Sequence, residues 1–376
     1  FAPLQPLINF LRYYKSPEKK RLFSVRFAEY IFMLRKIPKS ISIAVLGAGS
    51  WGTTIAIHLY NKKLPVKLWE YFPENVAYMN KTRRNPLLEG IPIPRAIPIL
   101  NDLTEAVKNA NFLVLAVPSQ SMRSLLEKIK GQIEPDTIIV NLTKGIEQNT
   151  LKRMSELITE ILNHPPEKIV TLHGPSHAEE VARQVPTAVV AASINEETAQ
   201  LVQEVFHSPY FRVYTNTDII GVEIGGAVKN VIAIAAGICD GMRLGDNAKA
   251  ALMTRGIMEI VRLGLRVGGR EVTFAGLSGI GDLIVTCNSQ HSRNRYVGEE
   301  IGKGRKLDDI LNGMSMVAEG VTTCLTVHQM AEKYKVVMPI SEEIYKVLFK
   351  NKDPQTALWD LMNRDPKQER HSLSKY

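Results

Sequence analysis

Cysteine is scarce in this 376-residue chain: Cys239, Cys287 and Cys324 lie far apart, with no CxxC pair and no companion histidine spacing. That pattern excludes a disulfide framework and a zinc site, and it fits a reducing, cytoplasmic setting. Internal repeats and low-complexity tracts are missing as well. No stretch beyond residue 40 reads as long and apolar enough to cross a bilayer; the greasiest, residues 224–239, is too short. Acidic residues are nearly absent from the first forty positions, where nine Lys/Arg face only Glu18 and Glu29. Seven of the nine net positive charges therefore sit in that segment. The nearly neutral remainder argues against a nucleic-acid-binding face.

Residues 1–40 form a basic N-terminal extension that opens on Phe1. Few acids would suit a targeting peptide, but Ser is sparse and no clear cleavage signal stands out. Phe10, Tyr13, Tyr14, Phe23 and Phe27 among the bases would suit contact with an anionic membrane surface. The favoured reading is an appendage without a catalytic role.

The whole chain has the apolar and charged fractions of a globular protein, 45% and 23%, and room for two ordinary domains. Buried-strand patterns at residues 41–46, 66–69, 112–117, 137–142, 169–172 and 187–191 alternate with helical stretches such as 120–130 and 151–162. That alternation predicts an α/β fold, a Rossmann-like doubly wound parallel sheet over residues 41–215. From about Asp218 the apolar period becomes helical and long, so residues 216–376 read as a mostly α-helical substrate and catalytic domain.

The first strand runs straight into residues 47–52 (GAGSWG) and then a helix. A lone GxGxxG is weak evidence; strand before, helix after and an acid at the end of the next strand make it strong. Gly47 permits the tight turn, Gly49 lets backbone approach a pyrophosphate, and Gly52 allows close helix–strand packing. The phosphates would meet the helix N-terminus. Glu70 stands where such an acid holds the adenine ribose 2′-hydroxyl and repels a 2′-phosphate, which favours NAD(H) over NADP(H). Tyr71 beside it is the alternative contact.

Lys229 is the only charged residue in the small, apolar run 224–239. Enclosed there, an ammonium loses hydration and its pKa falls towards neutrality, as a proton donor and acceptor requires. The plainer alternatives are a side chain that snorkels to the surface or pairs with Glu223. Three polar clusters sit where ligands gather in such a sheet: Thr143-Lys144-Gly145 and His173-Gly174-Pro175-Ser176 after strands, and Ser292-Arg293-Asn294 opening a helix. A helix N-terminus with an arginine fork suits a phosphate ester. Singly these could be a turn lysine, a sharp loop and a solvated cap. Together with a cofactor fold and an isolated lysine they describe a dehydrogenase for a small phosphorylated alcohol.

Residues 47–52 (GAGSWG), 142–145 (LTKG), 174–178 (GPSHA), 225–231 (GGAVKNV), 279–287 (GIGDLIVTC), 292–295 (SRNR) and 338–345 (MPISEEIY) closely resemble bacterial-type NAD(P)-dependent glycerol-3-phosphate dehydrogenases. The resemblance covers residues 41–360 or so, in order. It implies reversible reduction of dihydroxyacetone phosphate to sn-glycerol 3-phosphate for phospholipid synthesis, in a homodimer. It makes Lys229 the proton donor and acceptor, with Asn230 beside it, and Lys144 a bridge between substrate and nicotinamide. Gly174 and Ser176 would line the substrate pocket, with Asp282 and Thr286 setting the lysine and the substrate hydroxyls. Ser292, Arg293 and Asn294 would take the phosphate. Ser50, Trp51, Tyr71, Ala178, Val317 and Glu319 match cofactor positions, and Arg293 and Lys144 also approach the cofactor. No metal is implied. Relatives often carry a basic residue where Tyr71 stands, a departure that agrees with the reading of Glu70.

Two rivals frame this expectation. Another Rossmann-plus-helical oxidoreductase, for a hydroxyacid or an acyl-CoA, would not require the Ser292–Asn294 cluster. A non-catalytic dinucleotide-binding scaffold would not need Lys229 or Asp282.

Overall fold

Eight strands form one sheet in the order β3-β2-β1-β4-β5-β6-β7-β8. They are β1 (Ile43–Leu46), β2 (Val66–Trp69), β3 (Ile99–Leu100), β4 (Phe112–Leu115), β5 (Ile138–Asn141), β6 (Ile169–His173), β7 (Thr187–Ala192) and β8 (Phe211–Asn216). This computed structural model describes residues 41–369 apart from Ser315 and Lys367; the expected basic extension lies outside the described residues. From Ser42 onward the described residues form one compact unit.

β1, β4 and β5 (IAVL, FLVL, IIVN) are buried along their whole length, because helices cover both faces of the sheet. The first six strands run parallel, with Ile43 in register with Val66 on one side and Phe112 on the other. One expectation is corrected here. β7 runs antiparallel to β6, Leu172 opposite Ala191, and β8 then follows β7 in parallel. The link from β6 to β7 holds only the short helix Ala178–Ala182, which turns the chain back instead of carrying it across the sheet.

The second half wraps around a 23-residue helix, Ile219–Gly241, whose N-cap Asp218 accepts from Gly221 N. This corrects the membrane reading: by length and composition the helix could span a bilayer, with mean hydropathy 1.7. Instead, 94% of that stretch is buried inside the fold. Helices Arg293–Gly302, Asp246–Arg266, Asp282–Asn288 and Glu319–Tyr334 pack around it. Ile224, Val228, Val231, Ile232 and Ile234 are wholly buried, each a gain of roughly 1.5–3 kcal/mol, which offsets the cost of enclosing one lysine among them.

Candidate active site

Gly47 closes the turn after β1 with φ +106°, a region that side chains rarely adopt. The helix Ser50–Asn61 starts immediately, and Gly52 packs so tightly that a Cβ there would lie 1.9 Å from the Gly47 carbonyl oxygen. At Gly49 the added carbon would meet nothing within 4 Å. The middle glycine thus leaves backbone bare against open space, as close approach of a pyrophosphate demands. These residues fit a nicotinamide dinucleotide, whose phosphates Gly49, Ser50 and the helix N-terminus would hold.

The turn opens on a cavity of about 640 Å³ between the sheet ends and the helical half. Seventeen of the expected residues line it: Gly47, Gly49, Ser50, Trp51, Glu70, Lys144, Ser176, Ala178, Lys229, Asn230, Asp282, Thr286, Ser292, Arg293, Asn294, Val317 and Glu319. Three do not. Gly52 lies beneath the turn, and Gly174 contributes its carbonyl from behind the wall. Tyr71 is 55% exposed and turned outward under the Lys128 ammonium, 4.8 Å from its ring centre. Phe72 takes the lining position instead. Glu70 is buried, and its Oε1 accepts from Phe72 N at 3.0 Å.

Lys229 neither snorkels nor pairs with Glu223. It is 4% exposed, and its Nζ donates to Asp282 Oδ1 at 2.6 Å and to Thr286 Oγ1 at 2.5 Å. Glu223 is taken by Arg153 Nη1 at 2.6 Å and by Ser155. Thr286 in turn donates to the Asp282 carbonyl at 2.6 Å. Lys144 Nζ reaches the other Asp282 oxygen, also at 2.6 Å, and the Gly174 carbonyl at 3.0 Å. Burial lowers the Lys229 pKa to about 8; Asp282 resists that fall and Lys144 adds to it. Burial alone would raise the Asp282 carboxyl, yet the two ammonium groups outweigh it and hold its pKa below the ordinary value. The result is a fixed carboxylate carrying two lysines at the cavity wall.

Ser292 is the N-cap of helix Arg293–Gly302, its hydroxyl accepting from Arg295 N at 3.2 Å. Arg293 is held by the Val317 carbonyl at 3.0 Å. Asn294 uses its side-chain oxygen on Gly320 N at 2.9 Å, and so ties this helix to Glu319–Tyr334. Glu319 reaches across to the sheet: its oxygens accept from Ser119 N at 2.9 Å and from Ser119 Oγ at 2.5 Å. Burial raises the Glu319 pKa, against those bonds and Arg293.

Sequence reasoning passed over other lining residues, among them Asn75, Asn85, His177 and His291. Asn85 was findable in principle, since an Asn-Pro step marks a turn. Its amide donates to the Ala48 carbonyl and to Thr53 Oγ1, both at 2.7 Å, buttressing the Gly-rich turn.

A glycine-rich turn on a mostly parallel sheet, facing a buried lysine from the helical half that shares one carboxylate with a second lysine from the sheet, defines a two-part dinucleotide-dependent dehydrogenase. Two family models match in succession: NAD-dependent glycerol-3-phosphate dehydrogenase N-terminus over residues 42–199, and the same family's C-terminus over residues 218–359. The chain belongs to the NAD-dependent glycerol-3-phosphate dehydrogenase family. The glycerol-3-phosphate dehydrogenase [NAD(P)+] of Chlorobium phaeobacteroides (strain BS1) is 53% identical over 331 residues, 88% of this chain and 99% of that one. The Thermoanaerobacter sp. (strain X514) protein of the same name is 49% identical, covering 89% of this chain and 100% of its own. The crystal structure of glycerol-3-phosphate dehydrogenase from Coxiella burnetii matches with a TM-score of 0.84 at 37% identity, over 87% of this chain and 100% of that one.

Proposed function

We propose that this chain catalyses the reversible NAD(P)H-dependent reduction of dihydroxyacetone phosphate to sn-glycerol 3-phosphate, feeding glycerophospholipid synthesis, with Lys229 as the general acid and base. The observation that carries the reading is the buried Lys229 amine, bonded to Asp282 and Thr286 on the wall of the same cavity as the Gly47–Gly52 turn.

A bound nicotinamide dinucleotide supplies the hydride. Lys229 stands at the ketone oxygen, stabilises the charge that builds there and gives up its proton. A pKa of about 8 lets it hold that proton at neutral pH and part with it readily. Lys144 adds a second positive centre, and Asp282 fixes both ammonium groups so that no reorganisation is needed as charge develops. Ser292, Arg293 and Asn294 grip the phosphate away from the chemistry and orient the carbonyl. Glu70 disfavours a 2′-phosphate, so NADH is the preferred coenzyme and NADPH the weaker one. The sheet half, residues 41–215, carries the glycine-rich turn and Lys144, and the helical half, residues 216–376, carries Lys229, Asp282 and the phosphate cluster. A homodimer in a reducing, cytoplasmic compartment completes the proposal.

The deciding experiment is oxidation of NADH and of NADPH by the purified chain with dihydroxyacetone phosphate. Substrate-dependent loss of absorbance with NADH ahead of NADPH is expected. No turnover with either coenzyme removes the activity, and a clear NADPH preference removes the role given to Glu70.

A further inference from the structure

His177 lines the cavity and belongs to none of the groups used so far. It is the N-cap residue of the short helix Ala178–Ala182, yet its ring makes no capping bond. Its Nε2 is buried and takes no hydrogen-bond partner among the described residues. Leaving such a nitrogen unpaired costs about 1–3 kcal/mol, so the position calls for a partner from outside the chain. The charged groups around it are Lys229, Lys144 and Asp282, and the His291 ring lies 5.8 Å away. Burial and the two lysines lower the His177 pKa to about 4, so the imidazole is neutral under working conditions. Two ammonium groups already meet an anion's charge there, and a neutral ring brings no charge of its own. It suits an uncharged polar group, and a hydroxyl suits it best, since a hydroxyl donates or accepts and satisfies either tautomer.

In a triose phosphate bound as proposed above, the carbonyl oxygen belongs to the lysines and the phosphate to Ser292, Arg293 and Asn294. Asp282 and Thr286, expected at the substrate hydroxyls, are already engaged by Lys229, Lys144 and the Asp282 carbonyl, so the unesterified hydroxyl still lacks a protein partner. We propose that His177 is a substrate-discriminating residue that hydrogen-bonds this hydroxyl, and so selects a hydroxymethyl ketone over a methyl ketone. The inference rests on the activity proposed above. A site built to pair a substrate hydroxyl rejects the analogue that lacks it, because its own polar group is then stranded.

The test compares kcat/KM for dihydroxyacetone phosphate with that for its deoxy analogue, hydroxyacetone phosphate, in the intact enzyme and in two variants. The wild type is expected to favour the hydroxylated substrate by about tenfold or more. His177→Phe keeps a ring and removes the nitrogen; it should shrink that preference about three- to tenfold, with turnover of the analogue and NADH affinity retained. His177→Ala carries the same expectation should the larger ring disturb folding, and His177→Asn should recover part of the preference. An unchanged ratio in folded Phe or Ala variants overturns the proposal, as does an equal loss on both substrates, which would mark a phosphate or structural contact. A wild type that does not discriminate overturns it too. Failure of the underlying activity is read separately, as a wild type that turns over neither ketone.

Discussion

Asp282 joins two lysines that lie 85 residues apart, Lys229 on one carboxylate oxygen and Lys144 on the other, both at 2.6 Å. Lys144 comes from the loop after β5 and Lys229 from the central helix, so one side chain pins the cofactor sheet to the helical half. Asp282→Asn would leave two enclosed ammonium groups without a counter-charge, a change that costs about 3–5 kcal/mol when a buried pair is broken. We expect a lower Tm and a fall in kcat of on the order of a hundredfold. The sign of the pH effect follows from the charge. Asp282 raises the Lys229 pKa, so its removal lowers it further below about 8. With Lys229 as the proposed acid, ketone reduction should decline as pH rises through that pKa; in the variant the decline should begin at lower pH. A variant profile that breaks at the wild-type pH, measured at saturating NADH, contradicts the coupling.

Lys229→Ala removes the proposed proton donor while leaving the Gly-rich turn untouched. NADH binding, followed by fluorescence titration, should be retained. Turnover should fall on the order of a hundredfold or more, the scale of lost general acid catalysis. Near-normal turnover would take the lysine out of the mechanism.

Arg293→Ala separates the two ligands. The guanidinium is fixed by the Val317 carbonyl at the start of the Arg293–Gly302 helix, next to the Ser292 cap. A charge-assisted grip on phosphate contributes about 1.5–3 kcal/mol, so KM for the phosphorylated substrate should rise roughly ten- to a hundredfold. The Kd for NADH should change much less. Equal losses for both ligands would contradict the phosphate assignment.

The sequence shows the site more clearly than it shows the sheet. GAGSWG, LTKG and SRNR are local signals in which neighbours along the chain act together, and each is found at the cavity wall. What was illegible is relational. β3 is two residues long, Ile99–Leu100, and owes its existence to pairing with Leu68 and Trp69. The reversal of β7 is set by how residues 174–186 fold back, which no hydrophobic pattern records. Helix Pro73–Thr82 buries only Met79, so it offers almost no apolar stripe to detect. The pairing of Lys229 with Asp282 over the adjacent Glu223 spans 53 residues. It depends on Arg153 and Ser155 occupying Glu223 first. That Phe72 and not Tyr71 lines the cavity is likewise illegible, because the choice between them is made by the turn that Glu70 fixes.

The second and third positions of the glycine triplet make a paired prediction, because the same one-carbon addition meets opposite surroundings. At Gly52 a methyl group would lie 1.9 Å from the Gly47 carbonyl oxygen and 3.1 Å from the Ala116 Cβ, all inside the packed turn. Backbone cannot yield there as a flexible side chain could, so Gly52→Ala should destabilise the fold by about 1–3 kcal/mol or more and lower Tm with or without coenzyme. At Gly49 the methyl has open space within 4 Å, and the residue's own φ of −66° is one that alanine adopts freely. Gly49→Ala should therefore keep the Tm of the ligand-free protein, or raise it slightly through reduced chain entropy in the unfolded state. The added carbon sits on the cavity wall where a pyrophosphate must approach, so the Kd for NADH should rise tenfold or more. Thermal melts with and without NADH separate the two cases. If Gly49→Ala binds NADH as tightly as the wild type, the coenzyme's phosphates do not lie against this turn.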